Sequence, residues 1–127
     1  MKRILFIIAA LPLFQLCATR PQTDEKTCFT GKLVKRGICG QRVVQLIGQA
    51  SGGLAVAVNW TDSLANKPYE NVFAVGNECD FPATIKEGEE FTFTMTTQPA
   101  SNCIQCKAYT PVPEQRNQII VGCSQNK

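Results

Sequence analysis

The chain has 127 residues, with seven cysteines, no histidine and 13 basic against 10 acidic side chains. The lack of histidine excludes Ser-His-Asp and Cys-His catalysis, mixed Cys/His zinc sites and the usual proton shuttle near neutral pH. The small charge excess gives no electrostatic basis for binding nucleic acid. We therefore expect a single small domain that is not an enzyme.

The N-terminal residues have the pattern of a secretory signal peptide. Lys2 and Arg3 precede an apolar run at residues 4–14, which is much shorter than the ~20 residues that a membrane-spanning helix needs. Small residues around Ala18 predict cleavage after that position. Loss of Lys2 and Arg3 reduces the 13 basic residues to 11 against 10 acidic ones, a net charge of +1. The predicted organisation is a signal peptide at 1–18, a flexible tether at 19–27 and one domain at 28–127.

Cys17 opens an alternative, in which it becomes the lipidated first residue of a bacterial lipoprotein. That processing normally requires a small residue just before the cysteine, but Leu16 stands there. In both cases the protein is expected to be exported from a bacterial cell and to be periplasmic, secreted or attached to the envelope. Contact with a membrane is expected only through a lipid anchor on Cys17.

The chain after residue 27 alternates apolar and polar residues between closely spaced turns, which predicts strands. In the segment 54–60 the predicted packing face consists of Leu54, Val56, Val58 and Trp60. Residues 61–70 are polar and include a proline, which predicts a long loop. The predicted strands are 29–34, 41–47, 54–60, 72–75, 91–97, 107–110 and 118–122.

These strands, without a convincing amphipathic helix, predict an all-β domain. We expect a small antiparallel Greek-key barrel that is OB-like, with a sandwich as the alternative. The basic residues near the first turn are expected to lie on a solvated strand face and turn. They are Lys32, Lys35, Arg36 and Arg42.

Six cysteines remain once Cys17 is removed or lipidated, and an even number in an exported small domain predicts about three disulfides. Their spacing does not select the pairing. Such bridges would stabilise the domain by restricting the unfolded chain. The six are Cys28, Cys39, Cys79, Cys103, Cys106 and Cys123.

Cys103 and Cys106 form the only C-x-x-C pair, within the stretch CIQC. A thiol redox pair needs its first cysteine at a helix N-terminus, and the residues after Cys106 open a helix poorly. A zinc site would need two more thiolates, and covalent haem attachment usually has a histidine next. We expect structural bridges to separate partners, such as Cys79 and Cys123, with no metal or cofactor. A thiol redox protein that uses the CIQC pair is the alternative.

The segment after this pair is a candidate binding loop, because flanking bridges and prolines would reduce its entropy loss on binding. The leading functional hypothesis is a non-enzymatic binding or structural module with an unidentified protein or small-molecule partner. A second alternative is a small protease inhibitor that presents residues 110–117. The simpler interpretation is that the prolines only shape a connection between edge strands. The candidate residues are Tyr109, Pro111, Pro113, Glu114 and Arg116.

Overall fold

The computed structural model describes residues 26–104 and 106–124. The predicted signal peptide, Cys17 and most of the predicted tether lie outside these residues. Within them the chain forms seven strands and one 3-10 turn, at Glu78–Asp80, and no α-helix. The all-β class is therefore confirmed. The strands are β1 (Phe29–Arg36), β2 (Arg42–Ile47), β3 (Ala57–Asp62), β4 (Lys67–Val75), β5 (Glu90–Met95), β6 (Arg116–Asn117) and β7 (Ile119–Val121).

The strands form one sheet in the order β3-β4-β2-β1-β5-β7, and all neighbours in this order are antiparallel. The two-residue strand β6 pairs parallel to β4, beyond the part of β4 that pairs with β3. The sheet is not closed by this pairing, so the predicted Greek-key barrel is not confirmed. The coarser prediction of an antiparallel, disulfide-stabilised sheet is confirmed.

One face of the sheet carries the main core, which is built from phenylalanine rings and aliphatic side chains of β1, β2, β4 and β5. The Phe93 ring lies 5.4 Å from that of Phe29 and 5.6 Å from that of Phe73, measured between centroids. Gly31 lies beneath these rings, where a Cβ would come within 2.7 Å of the Val44 Cγ1 and 3.0 Å of the Phe93 Cε1. A glycine is therefore required at this position for the core to pack.

The opposite face carries a smaller cluster in which Val43 and Val72 are fully buried. Trp60 and Tyr69 pack against it from β3 and β4. Lys35 donates to the Asp62 carboxylate at 2.5 Å, and both side chains are nearly buried. The prediction that Lys35 lies on a solvated face is therefore wrong, because its ammonium is drawn inward by Asp62.

Three predictions about individual segments are wrong. Residues 61–70 are not one long loop, because 61–62 complete β3 and Lys67 begins β4. Residues 107–110 form no strand. On β3 the side chain of Val58 is 64% exposed while Ala57 is buried, so Val58 does not belong to the packing face. β3 is an edge strand that pairs only with β4. On this strand the large side chains are not the buried ones, so the size pattern in the sequence did not predict the packing face.

Two buried asparagines join strands that the backbone ladders leave apart. The Asn77 side chain donates to the Ile119 carbonyl at 2.8 Å and accepts from the Ile119 N–H at 2.9 Å. Asn117 does the same with Ala55, at 2.7 Å and 3.0 Å. Each amide thus satisfies one backbone N–H and one carbonyl, as a neighbouring strand would.

Candidate functional site

The candidate site is the end of the domain at which β1 turns into β2. The turn is tight: the Gly37 N–H donates to the Gln41 carbonyl at 2.7 Å, and Gly40 has a φ of +93°. This φ favours glycine, because other residues rarely adopt it. The Gln41 side chain accepts from the Cys39 N–H at 3.1 Å. The turn therefore holds Ile38 and Cys39 in a defined position at its outer end.

Two disulfides attach a later segment to this turn. Cys39 is bonded to Cys106, with 5.1 Å between their Cα atoms, and Cys79 of the 3-10 turn is bonded to Cys103, at 5.7 Å. We call the assembly of residues 37–40, 78–80, 103, 104 and 106 the clamped tip. Within it, one covalent bond holds Cys106 to the β1–β2 turn and another holds Cys103 to the 3-10 turn.

The third disulfide, Cys28–Cys123, joins the two ends of the domain. The predicted disulfide framework is thus confirmed, and Cys103 has the suggested partner Cys79. The suggestion that Cys123 is a partner of the CIQC pair is wrong, because Cys123 bonds Cys28 and Cys106 bonds Cys39. Cys28 immediately precedes β1, and the clamped tip begins immediately after β1. The Cys28–Cys123 bridge and the clamped tip are therefore separated by the length of this eight-residue strand, roughly 26 Å.

Arg42 supports the clamped tip from below and was missed as a site residue in the sequence. It is only 7% exposed, and its guanidinium donates to the Gly40 carbonyl at 2.6 Å and lies 5.8 Å from the centre of the Phe81 ring. Its Nε has no hydrogen-bond partner among the described residues. The prediction that Arg42 lies on a solvated face is wrong, since the turn and the ring enclose it.

Two charged groups of this region have pKa values displaced by their surroundings. Burial, and then the charge of Arg36, lower the pKa of the Arg42 guanidinium, whereas Glu78 raises it. The Asp80 pKa is lowered by hydrogen bonds from Ser101, whose N–H lies 3.1 Å from the carboxylate. Asp80 and Ser101 flank the Cys79–Cys103 bridge, so this contact adds a polar link beside the covalent one.

The clamped tip exposes apolar side chains. Ile38 is 80% exposed and Ile104 is fully exposed, at 102% of its reference area. Both line a shallow depression of about 340 Å³ together with Cys39, Glu78 and Cys103. Tyr109, three residues after Cys106, is 77% exposed. Of these residues the sequence singled out only Tyr109. Ile104 lies inside the CIQC stretch but was not considered there, and Ile38 lies in no motif.

The predicted binding loop divides into an exposed and a buried part. Pro111 and Pro113 are buried, so their rings contribute to packing. The backbone beyond them is attached to β4, since the Ala74 N–H donates to the Gln115 carbonyl at 2.8 Å. Tyr109, Glu114 and Arg116 are exposed. That they form a binding loop stays a prediction. The earlier residues 103–104 and 106–109 are all exposed.

The cysteines of this site are all engaged in disulfides. Cys103 and Cys106 are bonded to different cysteines and not to each other. Within residues 26–104 and 106–124 no group of three or more histidine, cysteine or acidic side chains could hold a metal ion. No helix in this part of the chain is long and apolar enough to cross a membrane.

The comparisons with known proteins give no relative: no family model, curated protein or solved structure matches the chain. The class of protein is therefore defined by the fold and its bridges alone. It is a small all-β domain stabilised by three disulfides, a covalent framework that is typical of exported proteins.

Proposed function

We propose that this chain is an exported, non-enzymatic binding module that docks onto a partner protein through its clamped tip. One observation carries the proposal: Ile38, on the β1–β2 turn, and Ile104, between Cys103 and Cys106, are both exposed and line one depression beside two disulfides. Single exposed apolar residues are ordinary on protein surfaces. Two isoleucines that line one depression beside two disulfides match a docking surface better than isolated exposed residues do.

The energetics support this use of the surface. Covering both isoleucines would contribute about 3–6 kcal/mol from burial of their apolar area. A segment that is already rigid loses little conformational entropy on binding, so more of this contribution appears as affinity. The tip lies at the end of β1 remote from Cys28 and Cys123. A tether or lipid anchor at the N-terminus would therefore leave the clamped tip free to meet its partner.

Two finer proposals concern location and shape. Export to the periplasm, envelope or medium would allow the three disulfides to form and persist, and lipidation of Cys17 remains the anchored alternative. We also propose that the sheet curls toward an OB-like barrel. The pairing of β6 with β4 and of β7 with β5 supports this, because two strands adjacent in sequence reach both sides of the sheet.

The two alternative functions predicted from the sequence, a thiol redox protein and a protease inhibitor, stay open but have less support than the docking proposal. In a redox protein the active cysteines normally form one bond with each other. Here Cys103 and Cys106 are bonded to two different cysteines, so a redox reaction at this pair would have to break two disulfides. A protease inhibitor would present the exposed stretch near Ile104, since the prolines of the 110–117 segment are buried. In that case a protease should be inhibited without cleavage between Cys103 and Cys106.

Photo-crosslinking in the native host tests the proposal. A crosslinking amino acid replaces Ile38 or Ile104, and as a control it replaces Val58, which is also exposed but lies on β3. We expect one protein to be captured from both tip positions and not from the control. The captured protein is then purified, and Ile38→Ser with Ile104→Ser is expected to weaken its binding by at least about 100-fold. Identical capture from all three positions would refute docking through the clamped tip.

A further inference from the structure

A second surface lies on the face of the sheet that carries Val43 and Val72, and it shares no lining residue with the depression at the clamped tip. Two shallow depressions of about 460 Å³ and 360 Å³ adjoin there and share Gln45 and Tyr69 in their linings. We call them together the aromatic groove. Their sizes fall in the range that small-molecule sites occupy, ~300–1,000 Å³. The residues that matter for its chemistry are Lys32, Gln45, Asn59, Trp60, Lys67 and Tyr69.

The floor of the groove is a pair of aromatic rings in fixed positions. Trp60 and Tyr69 face each other across β3 and β4, with ring centroids 5.9 Å apart and planes inclined by 24°. Both rings are half-buried against the cluster of Val43 and Val72. Lys35, held by Asp62, lies 5.8 Å from the Trp60 ring centre. The rings are therefore rigid, and what they leave exposed is a flat apolar surface bordered by polar groups.

The groove is lined mainly by polar side chains, and its accessible aliphatic members are the half-buried Val34 and the exposed Pro68. The polar residues are Lys32, Gln45, Asn59, Thr61, Lys67, Glu70 and Glu87. The Gln45 Nε2 donates to the Glu70 carbonyl at 3.1 Å, which fixes this amide. Asn59 is exposed on the adjoining strand. Leu33, which lines one end, is fully buried. A partner protein would find few aliphatic contacts here, whereas a ligand rich in hydroxyl groups would find donors and acceptors beside the rings.

The larger depression of the groove has an excess of positive charge, whereas the exposed Glu70 lines the smaller one. Lys32 and Lys67 line the larger depression together with Glu87, and the Glu87 carboxylate is already engaged by the Arg36 N–H at 2.7 Å. The Lys67 ammonium lies 5.2 Å from the centre of the Tyr69 ring. Because Lys67 is exposed, its ammonium can move from the ring to a carboxylate of a bound ligand.

We propose that the aromatic groove binds a short segment of an acidic polysaccharide. A pyranose unit stacks its C–H face on Trp60 and Tyr69, and its hydroxyl groups bond to the amides of Gln45 and Asn59. The carboxylate of a uronic acid unit meets Lys67 and Lys32. This site is distinct from the clamped tip and does not depend on the function proposed for it.

The chain provides its own reporter for this site, because Trp60 is its single tryptophan. Tetragalacturonate is titrated into the protein at low ionic strength while tryptophan emission is recorded. The test variants are Lys67→Met and Asn59→Ala, which change exposed residues and should leave the fold intact. The matched control is Val58→Ala, next to Asn59 on the same strand. Cellotetraose and a thymidine oligonucleotide serve as neutral and nucleic-acid ligands.

We expect a saturable change in Trp60 emission with tetragalacturonate, at least tenfold weaker binding in Lys67→Met and in Asn59→Ala, and no change in Val58→Ala. Cellotetraose should bind at least tenfold more weakly. No response in emission, and no shifts of the Asn59 and Gln45 amide signals in an NMR titration, would overturn the proposal. Equal affinity for cellotetraose or for the oligonucleotide would overturn it as well, since neither carries a sugar carboxylate.

Discussion

Replacing both Cys39 and Cys106 by serine removes the bridge that attaches the clamped tip to the β1–β2 turn. Cys106 is exposed and Cys39 is half-buried, so little packing is lost and the effect is mainly on the unfolded chain. The bridge spans 67 residues, for which the chain-entropy relation gives about 4.4 kcal/mol. The Cys28–Cys123 bridge remains in the variant, however, and it still connects Cys39 to Cys106 through a path of only about 28 residues. With this shorter loop the same relation gives a stabilisation of about 3.6 kcal/mol.

We therefore expect the free energy of unfolding to fall by about 3–4 kcal/mol, measured by urea denaturation of the double variant and the parent. The m-value should rise, because the less constrained unfolded chain exposes more surface. As a matched case, serines at Cys79 and Cys103 open a loop of 24 residues, for which we expect a loss of about 3.4 kcal/mol. A loss below about 1 kcal/mol in the first variant would refute the reasoning.

Three further substitutions test the sheet itself. Burial raises the pKa of the Asp62 carboxyl, but its hydrogen bonds outweigh burial and the pKa is lowered. The ionised Asp62 side chain therefore contributes its full stabilisation of the fold above the unfolded-state pKa of about 3.9, and this contribution disappears as the pH falls through the folded-state pKa. Asp62→Asn should flatten the decline in unfolding free energy between about pH 5 and 2, and an unchanged decline would contradict this. Gly31→Ala should cost about 1–3 kcal/mol in urea denaturation because its Cβ meets the core. Gly76→Ala, whose Cβ would have no neighbour closer than the Gln118 Cγ at 3.3 Å, should cost less. Asn77→Ala leaves the Ile119 N–H and carbonyl unpaired and should cost about 2–4 kcal/mol by the same assay; a loss equal to that of an exposed substitution would count against the bridging role.

Much of the fold could be predicted from the sequence where alternation is regular. The phenylalanines of β5 alternate with threonines, and the structure places a strand at Glu90–Met95, close to the predicted 91–97. The first half of β4 was missed because it contains Lys67, Pro68 and Glu70. Pro68 is tolerated there because this part of β4 pairs only with β3, while β2 pairs with it further on, from Val72.

The site could be predicted only in part. The even number of cysteines indicated the framework, but pairing depends on which turns the sheet brings together, and the sequence spacing of Cys39 and Cys106 carries no such information. The position of Arg42 could not be predicted either. Its charge indicated an exposed side chain, but in the structure the Gly40 carbonyl and the Phe81 ring enclose it. Ile38 and Ile104 lie 66 positions apart, and only the bridges place them on one surface.

Disulfide mapping of the native protein tests the central claim most directly. Tryptic digestion without reduction should release one three-peptide assembly, made of residues 37–42, 43–86 and 87–107, and a separate pair of 27–32 with 117–127. Backbone fragmentation between Cys103 and Cys106, with the S–S bonds left intact, should then assign Cys39 to Cys106 and Cys79 to Cys103. A single peptide 87–107 with its two cysteines joined to each other, or with free thiols, would contradict the account, because nothing would then hold the clamped tip together.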